Sequence, residues 1–167
     1  IDSVDVTLID NGMPVVLLDA ANFGISGNES VDEMDAKKDL RERLELIRLQ
    51  AGPLMNLGDV TEKSVPKMSL VSRPSNGGSI STRTFIPHRC HAAIGVFGAV
   101  SVAAAAVTQG TVAFSVAHLP TGNVRTLRVE HPSGEMVVVA YMNNHELQST
   151  ALLRTARKLF EGLIYPC

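Results

Sequence analysis

Residues Ala92 to Val107 carry no charge, and a helix that is apolar on every side has to be enclosed by the rest of its fold. Whatever else the chain forms must wrap that helix. The run falls short of the roughly 20 residues a bilayer needs and includes Gly95, Gly98 and Ser101, so it reads as a core helix and no membrane partner is expected. Directly before it stands a polar doorway, Arg83-Thr-Phe-Ile-Pro-His88-Arg89-Cys90-His91. With the helix taken from Ala92, its first turn gathers two imidazoles, a guanidinium and a thiol around free backbone N–H groups and the positive end of the dipole, an arrangement suited to anions.

The rest of the pattern supplies the wrapping. Val4 to Ile9 and Pro14 to Asp19 read as a hairpin whose Asp10-Asn-Gly-Met13 turn can adopt positive φ. Asp35 to Gln50 reads as an amphipathic cover helix: Leu40, Leu44, Ile47 and Ala51 share one face, Lys37, Lys38, Arg41, Glu45 and Arg48 take the surface, and Gly52-Pro53 ends it. Lys67 to Ser72 and Ser79 to Ile86 read as strands around the Pro74 to Gly78 turn. Four more strands are predicted at Thr111 to Ala117, Arg125 to Glu130, Met136 to Tyr141 and Ser149 to Arg154, with a last apolar piece, Gly162 to Tyr165, at an edge. The expected class is α+β: an antiparallel, barrel-like sheet around one central buried helix.

At 167 residues the chain fits one domain or one half of a two-lobed protein. Its net charge of −2 offers no basic field for nucleic acid. Cys90 and Cys167 form neither a disulfide framework nor a CxxC pair, which suits a reducing, cytoplasmic setting, and no basic n-region precedes an apolar run at the start. The first residue is Ile rather than Met, so a fragment or processed product is expected.

Cys90, beside Arg89 and two imidazoles, has neighbours that lower a thiol pKa and make a thiolate available for proton transfer; the alternative is a small buried residue. His88 and His91 with Cys90 crowd three ligands into four residues, unlike the usual zinc spacings, so no metal is expected. They and Arg89 fit a carboxylate-rich ligand better, and Arg83 joins them if its strand face points the same way. Lys67 offers a second anion contact, and the Asn11-Gly12-Met13 turn a backbone that a ligand can approach closely. There is no glycine-rich phosphate loop, GxSxG elbow or HExxH.

The strings Thr7-Leu-Ile-Asp-Asn-Gly-Met-Pro-Val-Val-Leu-Leu-Asp19, Ile47-Arg-Leu-Gln-Ala-Gly52, Met55-Asn-Leu-Gly-Asp59, Val65-Pro-Lys-Met68, Phe85-Ile-Pro-His-Arg-Cys-His-Ala92, Gly95-Val-Phe-Gly-Ala-Val-Ser-Val102 and Arg154-Thr-Ala-Arg157 carry a resemblance. Over nearly its whole length the chain resembles the C-terminal half of the 4-oxalomesaconate tautomerases, in the PrpF-like methylaconitate isomerase group with the diaminopimelate epimerase-like fold. The resemblance implies two similar lobes, each a sheet around a central helix, with substrate held between the two helix N-termini. It implies that residues 1–167 are a single C-terminal lobe whose partner is the N-terminal lobe of the same protein, and that an isolated lobe would self-associate. Cys90 takes the place of the epimerase's C-terminal-lobe catalytic cysteine, while the principal lysine and cysteine acid–base residues lie in the N-terminal lobe. Asn11 to Pro14 takes the place of the substrate-contacting turn, with Met13 where the epimerase has asparagine, which disfavours an amino-acid substrate. The implied reaction moves a proton along a conjugated tricarboxylate in aromatic-acid breakdown, such as that of gallate, without metal or organic cofactor. A related aconitate or methylitaconate-type isomerase and a non-catalytic carboxylate-binding module are the other readings.

Overall fold

A computed structural model describes residues 1–163 and 165. Among the described residues the sheet has seven strands in chain order: β1 (Val6–Asp10), β2 (Pro14–Asp19), β3 (Lys67–Ser72), β4 (Ile80–Phe85), β5 (Val124–His131), β6 (Gly134–Asn143) and β7 (Glu146–Leu152). Four pairings are antiparallel, while β2 with β3 and β4 with β5 are parallel. The sheet curls into a half-barrel whose concave side holds α3 (Val96–Val107), which touches β1 and β2 as well as β5, β6 and β7. An Asn11 Nδ2 donor 3.4 Å from Thr150 Oγ1 links the turn after the first strand to the last strand.

The two halves of the sheet are covered differently, and their sequences show why. β2 is apolar throughout because both its faces are buried: Val15 and Leu17 pack toward α3, Val16 and Leu18 toward the outer layer. That layer consists of α1 (Val31–Ala36) and α2 (Lys38–Leu54), which bring Met34, Leu40, Leu44, Ile47 and Ala51 against Met68, Leu70 and Phe85. β6 alternates instead, with Val138, Ala140 and Met142 buried and Glu135 and Tyr141 exposed, so its outer face meets water. The small side chains Ala103 to Ala106 are fully or nearly fully buried and let α3 lie close against the curl.

Several expectations need correction. The cover helix is two helices: a capping box between Ser30 and Glu33 starts α1 before Asp35, and Lys37 separates it from α2. α2 runs through Gly52 and Pro53 to Leu54, its proline standing in the last turn. Gly52 is needed there for space, since a Cβ would lie 2.6 Å from Val60 Cγ2. Arg48 is no surface residue: it is wholly buried, grips Glu45 through Nε and Nη2 at 2.7 and 2.8 Å, and directs Nη1 to the carbonyls of Val60, Lys63 and Val65.

Thr111 to Ala117 is not a strand but a short helix, α4 (Val112–Val116), because the Thr111 hydroxyl caps it by accepting the Phe114 N–H at 3.0 Å. Ala113 and Val116, three apart, are its buried residues, so tertiary packing overrides β-branched propensity. Around Gly162 to Tyr165, residues 162, 163 and 165 join no strand and Leu163 and Tyr165 are exposed; Ile164 lies outside the described residues, as does Cys167. Among the described residues, no helix is long and apolar enough to cross a membrane.

Candidate active site

Register places the chemistry at one end of the sheet. β1 and β2 meet there in the Asn11 to Met13 turn, and Lys67 starts β3 in register with Val15. Met68 faces Phe85 at the end of β4, so the doorway leaves from this end as well. The same end receives the start of α3.

The turn is held against α3 by a buried hydroxyl. Ser101 Oγ donates to the Met13 carbonyl at 3.0 Å and accepts the Asn11 N–H at 3.3 Å, while the Gly12 N–H goes to Asp10 Oδ1 at 3.0 Å. Gly12 has φ +92°, and a Cβ there would come within 2.9 Å of Phe97 Cδ1. Glycine thus serves both the positive φ and the close approach of the aromatic ring.

α3 begins at Val96, not at Ala92. Gly95 is its N-cap in extended conformation, no side chain caps it, and its first turn has no acidic residue. Its leading N–H groups and positive dipole end therefore remain available to an anion, beside exposed Val96 and Phe97. Residues before Gly95 are withheld from the helix by other bonds: Cys90 bridges back to Phe85, the His91 N–H goes to the Thr84 carbonyl, and the Ala92 carbonyl accepts both the N–H and the hydroxyl of Ser133 at 2.9 and 2.6 Å.

The doorway side chains accordingly sit on a loop rather than in a helical first turn. His88 is half exposed, with Nδ1 3.5 Å from Glu45 Oε2, and lines an open hollow of about 460 Å³ over α2 with Lys38, Arg41 and Leu46. Arg89 is largely in solvent and reaches Asp35 Oδ2 at 3.3 Å; His91 is also exposed.

Of its two sequence readings, Cys90 fits the small buried residue. It is buried in the outer cluster with Phe85 and Met34, and its N–H donates to Asp35 Oδ1 at 2.7 Å. Burial pushes the thiol up to about 11, against the pull of the Arg83 cation and with the help of the Asp35 carboxylate. The expected lowering does not occur, because desolvation outweighs the nearby positive charge.

Arg83 turns away from the α3 side. It faces Leu70 across the β3–β4 ladder and so belongs to the outer face, where Nε donates to the Glu29 carbonyl at 2.6 Å and Nη1 to the Thr82 carbonyl at 2.8 Å. Lys67 alternates with Met68 and so falls on the α3 face, together with the buried Ser69 and Thr84 hydroxyls, 2.7 Å apart. It is half-buried, and burial followed by the Arg48 charge pulls its pKa down.

The structure therefore brings Asn11, Gly12, Met13 and Lys67 to the α3 entrance and keeps His88, Arg89 and His91 on the adjoining loop. Asp35, Ser101 and Ser133 complete the arrangement and were not singled out from sequence. Only the Ser101 position, a hydroxyl inside an otherwise apolar helix, carried a signal that could have found one of them. Among the described residues, no group of three or more His, Cys, Asp or Glu is placed to hold a metal ion.

A family profile described as PrpF protein matches residues 2–166. The 4-oxalomesaconate tautomerase of Pseudomonas putida is 53% identical over 164 residues, covering 98% of this chain and 45% of that protein. The (4E)-oxalomesaconate Delta-isomerase of Novosphingobium sp. is 54% identical over 166 residues, covering 99% of this chain and 46% of that protein. The chain thus spans about half the length of the curated relatives it matches. Among solved structures, a methylitaconate-delta-isomerase shares the fold with a TM-score of 0.84 at 22% identity, over 95% of this chain and 46% of that one.

Proposed function

Since the chain belongs to the PrpF protein family, we propose that it is the C-terminal lobe of an isomerase that moves a proton along a 4-oxalomesaconate-type tricarboxylate, exchanging keto and enol or shifting a double bond. The observation that carries this reading is the uncapped start of α3, faced by the Asn11 to Met13 turn, in a chain more than half identical to two proteins named for oxalomesaconate isomerisation.

Such a reaction needs a base at the carbon acid, an acid at the receiving atom, and fixed donors for the carboxylates and the developing enolate. This lobe supplies the donors: the first N–H groups of α3, beside the turn that Ser101 and Asp10 hold in place, with Lys67 and Arg89 adding positive charge for a trianion. The family resemblance puts the principal base in the other lobe; burial raises the Cys90 pKa to about 11, which favours the protonated thiol, and the Cys90 N–H secures the doorway. No metal or organic cofactor is required by this proton shuttle. The reading includes a cytoplasmic place in aromatic-acid breakdown, and an isolated lobe that self-associates through apolar surface such as Val96 and Phe97.

An ultraviolet assay of 4-oxalomesaconate keto–enol exchange tests it, using this chain alone and joined to an N-terminal lobe. Activity only in the joined form is expected. Activity of the lone chain would move acid and base onto its own residues; activity of the joined form on methylitaconate alone would replace the substrate.

A further inference from the structure

The loop that carries His88 to His91 into α3 is fastened at two points by side chains from distant parts of the chain. At one point Asp35, on the last turn of α1, uses both carboxylate oxygens: Oδ1 accepts the Cys90 N–H at 2.7 Å and Oδ2 the Arg89 Nε–H at 3.3 Å. At the other, Ser133 in the β5–β6 hairpin meets the Ala92 carbonyl with its hydroxyl at 2.6 Å and its N–H at 2.9 Å, and its hydroxyl also lies 3.3 Å from His131 Nδ1.

We propose that Asp35 and Ser133 are positioning residues: together they fix the loop, and through it the start of α3 against which the substrate carboxylates bind. This rests on the isomerase reading above. Asp35 has the greater part. Its side chain is only 19% exposed, and a charge-assisted acceptor for a buried N–H is costly to lose. Arg89, by contrast, is 83% exposed, so its ion pair adds little by itself and the Cys90 N–H bond is the anchor. Between the fastenings at Cys90 and Ala92 lies only His91, and Gly95 follows three residues after Ala92, so slack at either point passes directly to the helix start.

Cys90 is a built-in reporter, since its buried thiol becomes accessible only if the loop lifts. In the full chain carrying Cys167→Ser, the rate of Cys90 alkylation by iodoacetamide is compared for parent, Asp35→Asn, Asp35→Ala and Ser133→Ala, with thermal melts confirming that each folds. Asp35→Ala is expected to raise the rate about tenfold, the worth of one charge-assisted bond. Asp35→Asn should fall between, because its amide oxygen still accepts the Cys90 N–H. Equal rates for Asn and Ala would reduce Asp35 to its charge and overturn the clamp; rates equal to parent would do the same. If Asp35→Ala does not fold, a faster rate in Ser133→Ala than in parent supports the clamp and an unchanged rate overturns it.

In the enzyme completed by its other lobe, Asp35→Ala should raise KM for the tricarboxylate about tenfold with kcat within about threefold. A fall in kcat at unchanged KM would remove the positioning role. Absence of activity even in the parent counts against the isomerase reading, whereas the alkylation rates still decide the clamp.

Discussion

The Ser101 hydroxyl donates to the Met13 carbonyl at 3.0 Å, across 88 residues of sequence. One wholly buried side chain of the central helix thus fixes the backbone of the first turn, and the same oxygen accepts the Asn11 N–H. Ser101→Ala would leave both turn groups without this partner. It should lower the unfolding free energy by about 1–3 kcal/mol in urea titration, the cost of leaving part-buried polar groups unsatisfied. It should also raise KM in the completed enzyme, and a change below about 0.5 kcal/mol would show that the turn is held by other means.

Gly12 and Phe97 make a second, separable test. Gly12→Ala meets two obstacles, a φ of +92° and a Cβ 2.9 Å from the Phe97 ring. The expected cost is about 1–3 kcal/mol, combining backbone strain and overpacking. Phe97→Leu on top of Gly12→Ala should recover only the packing part, because the backbone strain remains. Complete recovery in the double variant, read by thermal melting, would show that φ is not strained.

Much of this fold is legible in the sequence where burial on two faces leaves an unbroken apolar run. β3 has the predicted ends, Lys67 and Ser72, and β2 and the enclosed helix follow from the same kind of signal. Legibility fails where a distant partner decides. Ala92 to Ile94 are as uncharged as the helix after them, and what excludes them is the Ser133 contact with Ala92, which no local pattern shows. Arg48 reads as a surface charge, yet five hydrogen bonds support it in the interior. The site was half legible for the same reason: the Asn11 to Met13 turn shows itself by composition, while the side on which Arg83 and Cys90 fall is set by ladder register.

Glu130 gives the fold an acid limit. Burial pushes its carboxyl up, but N–H donors from Ser75, Asn76 and Gly78 at 2.8, 2.9 and 2.7 Å outweigh burial and hold it below the usual range. A depressed carboxylate stabilises the fold above its unfolded pKa, and that stability is lost as pH falls through the folded value. Unfolding free energy should therefore decline below the ordinary glutamate range. Glu130→Gln should be less stable than parent at pH 7 by about 1–3 kcal/mol, with the gap narrowing as the parent's carboxylate protonates. A gap that stays constant down to pH 3 would contradict the assignment.

Cys90 gives the fold an alkaline limit of opposite sign. Its pKa is raised to about 11, chiefly by burial, so the folded state holds the thiol proton more tightly than the unfolded chain does. The associated stability is fully present below the unfolded thiol pKa of about 8.5 and is lost as pH rises toward the folded value. In the Cys167→Ser background, urea midpoints at pH 8 and pH 10.5 should fall further for the parent than for Cys90→Ala, which has no proton to lose; tyrosine and lysine titrations are common to both and cancel. Iodoacetamide should likewise react slowly with Cys90 at pH 8, with urea restoring ordinary thiol reactivity. If the two proteins lose stability in parallel, or native Cys90 reacts as fast as the unfolded thiol, then Cys90 is a thiolate open to the site, and the base assigned to the other lobe would have a rival in this one.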